Sequence, residues 1–283
     1  MQIGNRDFKE NGATYIMGIL NITPDSFSDG GRFLEEGQRG GLRKEQMDAL
    51  LFQVEEMIKD GMDIADIGAE STRPGYSRIS DQEEIERLLP VLRVLKEKFD
   101  IPLSVDSYKS EVARAALAEG ADMLNDIWGL RAPEDEKHKM AEIIAASGAA
   151  CCLMHNRNNT DYQNFLPDVM EDLKGTLCIA EKAGIKKKKI ILDPGIGFAK
   201  SLEQNLFVMK HLADFKELGY PVLLGSSRKS MIGNTLNLPK DQREEGTIAT
   251  SVMAAIAGCM FVRVHDVRAN KRAIQMTEAI LQA

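Results

Sequence analysis

Along its length the chain alternates between short, continuously apolar runs and longer stretches in which apolar residues recur every three or four positions. The short runs fall at residues 15–20, 64–68, 101–105, 123–127, 150–154, 190–193, 222–225 and 261–264. A strand covered by helices on both faces reads in this way, because neither of its faces meets water. Between the runs, Ile85, Leu88, Leu89, Leu92 and Leu95 mark one helical stripe, and Leu202, Leu206, Met209 and Leu212 mark another. Pro90 stands inside the first stripe and predicts a kink there. Alternating strand and helix predict parallel pairing. Eight such units in 283 residues predict an α/β chain folded as a closed (β/α)8 TIM barrel rather than an open doubly wound sheet. No composition shift or long linker divides the chain, so a single domain over residues 1–283 is expected.

A barrel of this kind carries its chemistry at the C-terminal ends of its strands. Those ends read Asn21, then residues 70–75, Asp106, Asn125-Asp126, His155, Asp193, residues 226–230 and His265. Asp, Asn and Ser also begin helices as caps, but caps converging on one rim still make a polar pocket. Asp106, Asn125, Asp193 and Lys229 together supply acceptors, an amide and a cation. That set suits a flat heterocycle with adjacent N–H donors and a ring carbonyl. Arg263 and His265 lie two apart on the last strand and share a face. Both can donate to phosphate oxygens. The segments Ser28-Asp29-Gly30-Gly31 and Ser71-Thr72-Arg73-Pro74-Gly75 read as loops over such a site.

Charge and composition narrow the classes. A net charge of -7 argues against a general nucleic-acid binder, which needs a basic face to displace counterions. The polar first residues lack a secretory h-region, and no apolar run is long enough to cross a bilayer. The four cysteines follow no disulfide or metal spacing and read as small apolar core residues of a cytoplasmic protein. Lys186-Lys187-Lys188-Lys189 reads as solvated charge, and His138 and His211 read as surface positions. His155 is left outside the site.

Several longer motifs run through the same rim. Met17-Gly18-Ile19-Leu20-Asn21-Ile22-Thr23-Pro24-Asp25-Ser26-Phe27-Ser28-Asp29-Gly30-Gly31 is the first, and Asp66-Ile67-Gly68-Ala69-Glu70-Ser71-Thr72-Arg73-Pro74-Gly75 the second. Ser104-Val105-Asp106-Ser107, Asn125-Asp126, Leu192-Asp193-Pro194-Gly195-Ile196-Gly197-Phe198, Ser227-Arg228-Lys229-Ser230 and Val262-Arg263-Val264-His265-Asp266-Val267 follow in order. In these motifs, over essentially its whole length, the chain resembles the dihydropteroate synthase family.

The resemblance implies a transferase of folate synthesis, the sulfonamide target, which joins (7,8-dihydropterin-6-yl)methyl diphosphate to p-aminobenzoate and releases pyrophosphate. It implies that Asp106, Asn125, Asp193 and Lys229 hold the pterin ring. Asn21, Thr72, Arg263 and His265 would contact the diphosphate, with Asn21 also on Mg²⁺. Phe27, Arg73, Pro74 and Ser230 would lie near the aminobenzoate, and Asp29 and Asp106 would stabilise the cationic carbon left when pyrophosphate departs. The arylamine would then attack without an enzyme nucleophile. A homodimer is expected on the same ground. The chain departs from the family pattern between residues 33 and 61, where it is longer, with a Gly-rich piece at 37–41; a surface insertion is expected. A pterin-dependent methyltransferase would share the ring-holding groups but has no reason to carry the full 71–75 and 227–230 segments. A silent pterin-binding homologue need not keep every rim residue.

Overall fold

The computed structural model describes residues 1–10, 12–22, 42–70 and 78–283. Its central sheet holds eight parallel strands: β3 (Tyr15–Asn21), β4 (Ile64–Gly68), β5 (Leu103–Asp106), β6 (Met123–Asp126), β7 (Ala150–Met154), β8 (Ile190–Asp193), β9 (Leu223–Leu224) and β10 (Phe261–Val264). From β3 to β8 each strand pairs with the next in sequence. β10 pairs with β9 on one side and with β3 on the other. The remaining gap is bridged where Leu192 meets Val222 and the Leu192 N–H donates to the Pro221 carbonyl at 2.9 Å. The expected barrel is present, and each of the eight apolar runs forms one of its strands.

Helices α1 (Lys44–Lys59), α2 (Asp81–Lys98), α3 (Ser110–Ala118), α4 (Lys139–Ser147), α5 (Phe165–Ala183), α6 (Leu202–Lys210), α7 (Ser230–Leu236), α8 (Glu244–Ala257) and α9 (Val267–Leu281) cover the outside. Local chemistry sets their ends. The Ser80 hydroxyl accepts the Glu83 N–H at the start of α2, whose first turn is acidic and last turn basic, as the helix dipole favours. Ser201 and Gln204 form a capping box on α6.

Of the first stripe Leu88, Leu92 and Leu95 are buried and Ile85 and Leu89 half-buried, while the second stripe needs a correction. Helix α2 continues through Pro90 and buries Leu88, Val91, Leu92 and Leu95, with Pro90 on its exposed side. In α6 the buried residues are Asn205, Val208 and Met209, while Leu206 is 42% exposed. The α6 phase was misread because Asn205 is a buried polar residue: its amide binds the Lys200 and Ser201 carbonyls, and its Oδ1 accepts the Gly197 N–H at 2.6 Å. Cys151, Cys152 and Cys259 are buried as expected, whereas Cys178 is exposed on α5. His138 and His211 are half-buried at helix ends, His138 bonding the Leu130 carbonyl and His211 bonding Asp214.

Side-chain alternation divides the core into two shells. The outward set, including Ile16, Leu20, Ala65, Ile67, Leu103, Val105, Leu124, Leu153, Leu192, Leu224, Val262 and Val264, packs under the helices. Gly18 belongs to this face: a Cβ there would lie 2.3 Å from Met62 Sδ and 2.5 Å from Met57 Cε, so its absence lets the end of α1 approach the strand. The inward set, Met17, Ile64, Met123, Ala150, Cys152, Ile191, Leu223 and Phe261, fills the lower barrel. A hairpin that no periodicity predicted, β1 (Gln2–Ile3) with β2 (Arg6–Asp7), closes this lower end. Ile3 and the following Phe8 join the inward cluster, with Phe8 packed on Tyr15 and Phe261.

Candidate active site

Above that apolar floor the same inward-facing alternation presents polar residues. Asp66 follows Ile64 on β4, Asn125 follows Met123 on β6, Asp193 follows Ile191 on β8 and Arg263 follows Phe261 on β10. Period-two geometry puts each pair on one face, so the strands that build the floor also aim these groups into the barrel.

Arg263 is the centre of this layer. Its Nε donates to Asp66 Oδ2 at 2.5 Å and its terminal nitrogen to Asp106 Oδ2 at 2.6 Å. Asn125 Nδ2 also donates to Asp66 Oδ2, at 3.1 Å. A guanidinium placed between two carboxylates strengthens its hold on its proton, so Arg263 lies above the usual arginine range despite burial. Burial raises the Asp106 carboxyl to about 7, opposed by the Arg263 charge. Among the described residues two fully buried oxygens of this layer, Asp66 Oδ1 and Ser104 Oγ, have no hydrogen-bond partner.

Asp193 and Lys229 form a second group. Asp193 Oδ1 accepts the Gly195 N–H at 2.7 Å, and burial raises its carboxyl while the Lys229 charge lowers it. Lys229 donates to the Ile196 carbonyl and lies over the Phe198 ring, 4.5 Å from its centre. Burial brings its ammonium down to about 8, against the opposing pull of Asp193. Beyond them, His265 Nδ1 is 2.9 Å from Ser227 Oγ, which also accepts the His265 backbone N–H at 3.2 Å. The hydroxyl can accept from the backbone and give its hydrogen to Nδ1, an arrangement that would leave the ring proton on Nε2 as a donor.

The structure thus brings Asp106, Asn125, Asp193, Lys229, Arg263 and His265 to one end of the barrel, as the strand ends implied. Asn21 joins them at the end of β3, where a Cβ on Gly68 would lie 3.6 Å from Asp106 Cβ and 3.9 Å from Asn21 Oδ1. Ser230 is exposed at the start of α7. Phe27, Asp29, Thr72, Arg73 and Pro74, with the Gly-rich 37–41 piece, lie outside the described residues.

Four participants were not singled out from sequence: Asp66, Phe198, Lys200 and Ser227. Asp66 had a usable signal, since an aspartate inside an otherwise apolar strand, two residues past Ile64, must face the interior. Lys200 had none, being one lysine among many. His155, left outside the pocket, is buried behind it, where it bonds Asp172 and Lys200. Asp126 is structural: its carboxylate accepts the N–H groups of Trp128 and Leu130.

Comparison with known proteins matches residues 17–265 to a family model described as pterin binding enzyme. A dihydropteroate synthase of Clostridium beijerinckii is 52% identical over 283 residues, covering 100% of both chains. One from Bacillus subtilis is 46% identical over 95% of this chain and 89% of the relative. Among solved structures, a dihydropteroate synthase from Clostridium difficile determined with pteroic acid superposes with a TM-score of 0.87 at 46% identity, covering 96% of this chain and 98% of the other. One from Xanthomonas albilineans with 4-aminobenzoic acid gives 0.85 at 37% identity, covering 96% and 94%. At such identity over the whole length, and with the same barrel, the chain belongs to the dihydropteroate synthase family of pterin binding enzymes.

Proposed function

We propose that the polar upper half of the barrel is where this transferase joins (7,8-dihydropterin-6-yl)methyl diphosphate to p-aminobenzoate, with the pterin ring against Asp106, Asn125, Asp193 and Lys229. The observation that carries the reading is the placing of Asp193 and Lys229. A buried acceptor and a half-buried cation stand together above an apolar floor, and a pterin offers N–H donors beside a ring carbonyl. The solved relatives carrying pteroic acid and 4-aminobenzoic acid support the same pair of substrates.

In this reading Arg263 and His265 face the diphosphate. Arg263 keeps donors beyond the two given to Asp66 and Asp106, and His265 presents its Nε2 proton; both favour the charge that grows on departing pyrophosphate. Asp106, held beside Arg263, stabilises the cationic pterin-methyl carbon, and the neutral arylamine attacks it. Asp29 from the first loop would assist, Thr72 would reach the diphosphate, and Phe27, Arg73, Pro74 and Ser230 would line the aminobenzoate end.

Mg²⁺ needs few protein ligands when phosphate oxygens and waters complete its shell. Among the described residues no group of three or more His, Cys, Asp or Glu is set to hold a metal, and Asn21 offers one neutral oxygen beside Asp106. Those residues fit an ion carried in by the diphosphate and touched by Asn21, where it would offset the leaving group's negative charge. Among the described residues no helix is long and apolar enough to cross a membrane. We place the enzyme in the cytoplasm as a homodimer, folded as one domain, on the family expectation.

The test is pyrophosphate release when both substrates are mixed with the protein. No release, or equal release without p-aminobenzoate, would sink the reading. A second measurement probes the two loops: p-aminobenzoate should bind tightly only when pterin, pyrophosphate and Mg²⁺ are present. Equal affinity with and without them would mean a preformed pocket.

A further inference from the structure

Behind the pterin pocket lies a chain of polar groups, half-buried around a fully covered His155, that catalysis as described does not use. It starts on α5 with Asp172, which receives Arg157 Nε at 2.5 Å and an Arg131 terminal nitrogen at 3.1 Å. His155 Nε2 lies 3.0 Å from Asp172 Oδ2, and His155 Nδ1 lies 2.9 Å from Lys200 Nζ. Lys200 Nζ also donates to the carbonyls of Gly195 at 3.0 Å and Phe198 at 3.1 Å. An ammonium has three hydrogens, and three acceptors surround it. Nδ1 must therefore accept, which puts the imidazole hydrogen on Nε2 and directs it at Asp172. Every member of the chain is satisfied by one protonation pattern, with neutral His155 between a cation and an anion.

The segment that Lys200 gathers is difficult backbone. Gly195, Gly197 and Ala199 all have positive φ, at 73°, 82° and 46°, and the last carries a side chain. Two of its glycines have close neighbours: a Cβ on Gly195 would stand 2.0 Å from the His155 carbonyl oxygen, and one on Gly197 would stand 3.0 Å from Lys229 Cδ. Between these points lie the two groups that orient Lys229, the Ile196 carbonyl and the Phe198 ring.

We propose that Lys200 is a positioning residue for Lys229: braced by His155 and Asp172, it ties down the Gly195 and Phe198 carbonyls and thereby holds the Ile196 carbonyl and the Phe198 ring where they aim Lys229 into the pterin pocket. The inference rests on the pterin site proposed above. Lys200 touches no substrate in this arrangement; its effect passes through the turn.

The experiment measures binding of a plain pterin by calorimetry, and the KM for each substrate, in the wild type, Lys200→Met, Lys200→Ala and His155→Gln. Loss of a charged, half-buried hydrogen-bonding hub should weaken pterin binding about tenfold or more in Lys200→Met, and less in His155→Gln, which leaves the ammonium on its carbonyls. The KM for p-aminobenzoate at saturating pterin diphosphate should stay within about twofold, a split that general loosening would not give. Ethylammonium should restore pterin binding to Lys200→Ala, where the truncated side chain leaves room for it. Unchanged pterin affinity in both Lys200→Met and His155→Gln overturns the inference. So does an equal loss for both substrates accompanied by a lowered thermal midpoint. If Lys200→Met does not fold, His155→Gln and the ethylammonium rescue decide. Failure of the wild type to bind pterin would instead remove the pterin site itself.

Discussion

The lower and upper halves of the barrel interior come from the same strands, one turn of the pleat apart, yet they are built on opposite principles. Below, Met17, Ile64, Met123, Ile191, Leu223 and Phe261 pack with Ile3 of the hairpin and the following Phe8. Above, Asp66, Asp106, Asn125, Asp193, Lys229 and Arg263 converge, and among the described residues two buried oxygens there lack partners. Each large apolar side chain buried below contributes about 1.5–3 kcal/mol. The charges above contribute little net stability, because desolvation offsets much of their mutual attraction. The lower half holds the barrel closed, and the upper half uses that rigidity to keep charges where water would otherwise disperse them.

Substitutions in the two halves should therefore fail differently. The largest loss of stability belongs to the floor: Phe261→Ala removes a fully buried ring in contact with Phe8 and Tyr15 and should lower the unfolding free energy by about 3–5 kcal/mol in denaturant titration. A loss below about 1 kcal/mol would mean the floor is not what holds the barrel. Next comes Asp193→Asn. Asn can still accept the Gly195 N–H but sets an amide donor where pterin donors would face an oxygen. Pterin affinity should fall by about 2–3 kcal/mol in calorimetry. Because burial disfavours the charged Asp193, its neutral replacement should leave the melting temperature equal or higher; a clear drop would place Asp193 among the structural residues.

A smaller effect should appear in pH. Asp106 is raised to about 7 by burial and loses an acceptor when protonated below that point. Lys229 is lowered to about 8 by burial and loses a donor when deprotonated above it. The profile of kcat/KM for the pterin substrate should be a narrow bell between those values, falling about tenfold per pH unit on either side. A flat profile from pH 6 to 9 would deny both groups their roles. Smallest of all is Leu206→Gln on the open side of α6, which should change stability by no more than about 0.5 kcal/mol. A loss near that of a core leucine would restore the stripe first read there.

What the sequence made legible follows from the same division. The strands were readable because residues facing helices and floor alike are apolar, so each of the eight runs stood out. The rim was readable because each run stops abruptly at Asn21, Asp106, Asn125, Asp193 or His265. Ser104 was hidden inside an apolar run, where one polar residue does not change the average, while Asp66 carried its signal only in the two-residue spacing from Ile64. Lys200 was hidden for another reason: beyond Gly195 and Phe198 its partner is His155, just after β7, which in turn bonds Asp172 on α5, and only three-dimensional closure brings them within reach. The hairpin at residues 2–7 escaped notice because two-residue strands are too short to alternate.

Pairing between strands is local around most of the barrel, and one seam is not: Phe261–Val264 must find Tyr15–Gly18, some 246 positions earlier. During synthesis at about 5–20 residues per second, the first strand of the barrel waits on the order of ten seconds or more for this partner, with its edge unpaired. Arg263 rides on the late strand, so the ion pairs to Asp66 and Asp106 cannot form until nearly the whole chain exists. A growing or truncated chain lacks the guanidinium that joins the two carboxylates. The ion-paired layer around Arg263 is therefore also the last joint made, and a fragment ending before Arg263 carries neither the closing strand pairing nor those ion pairs.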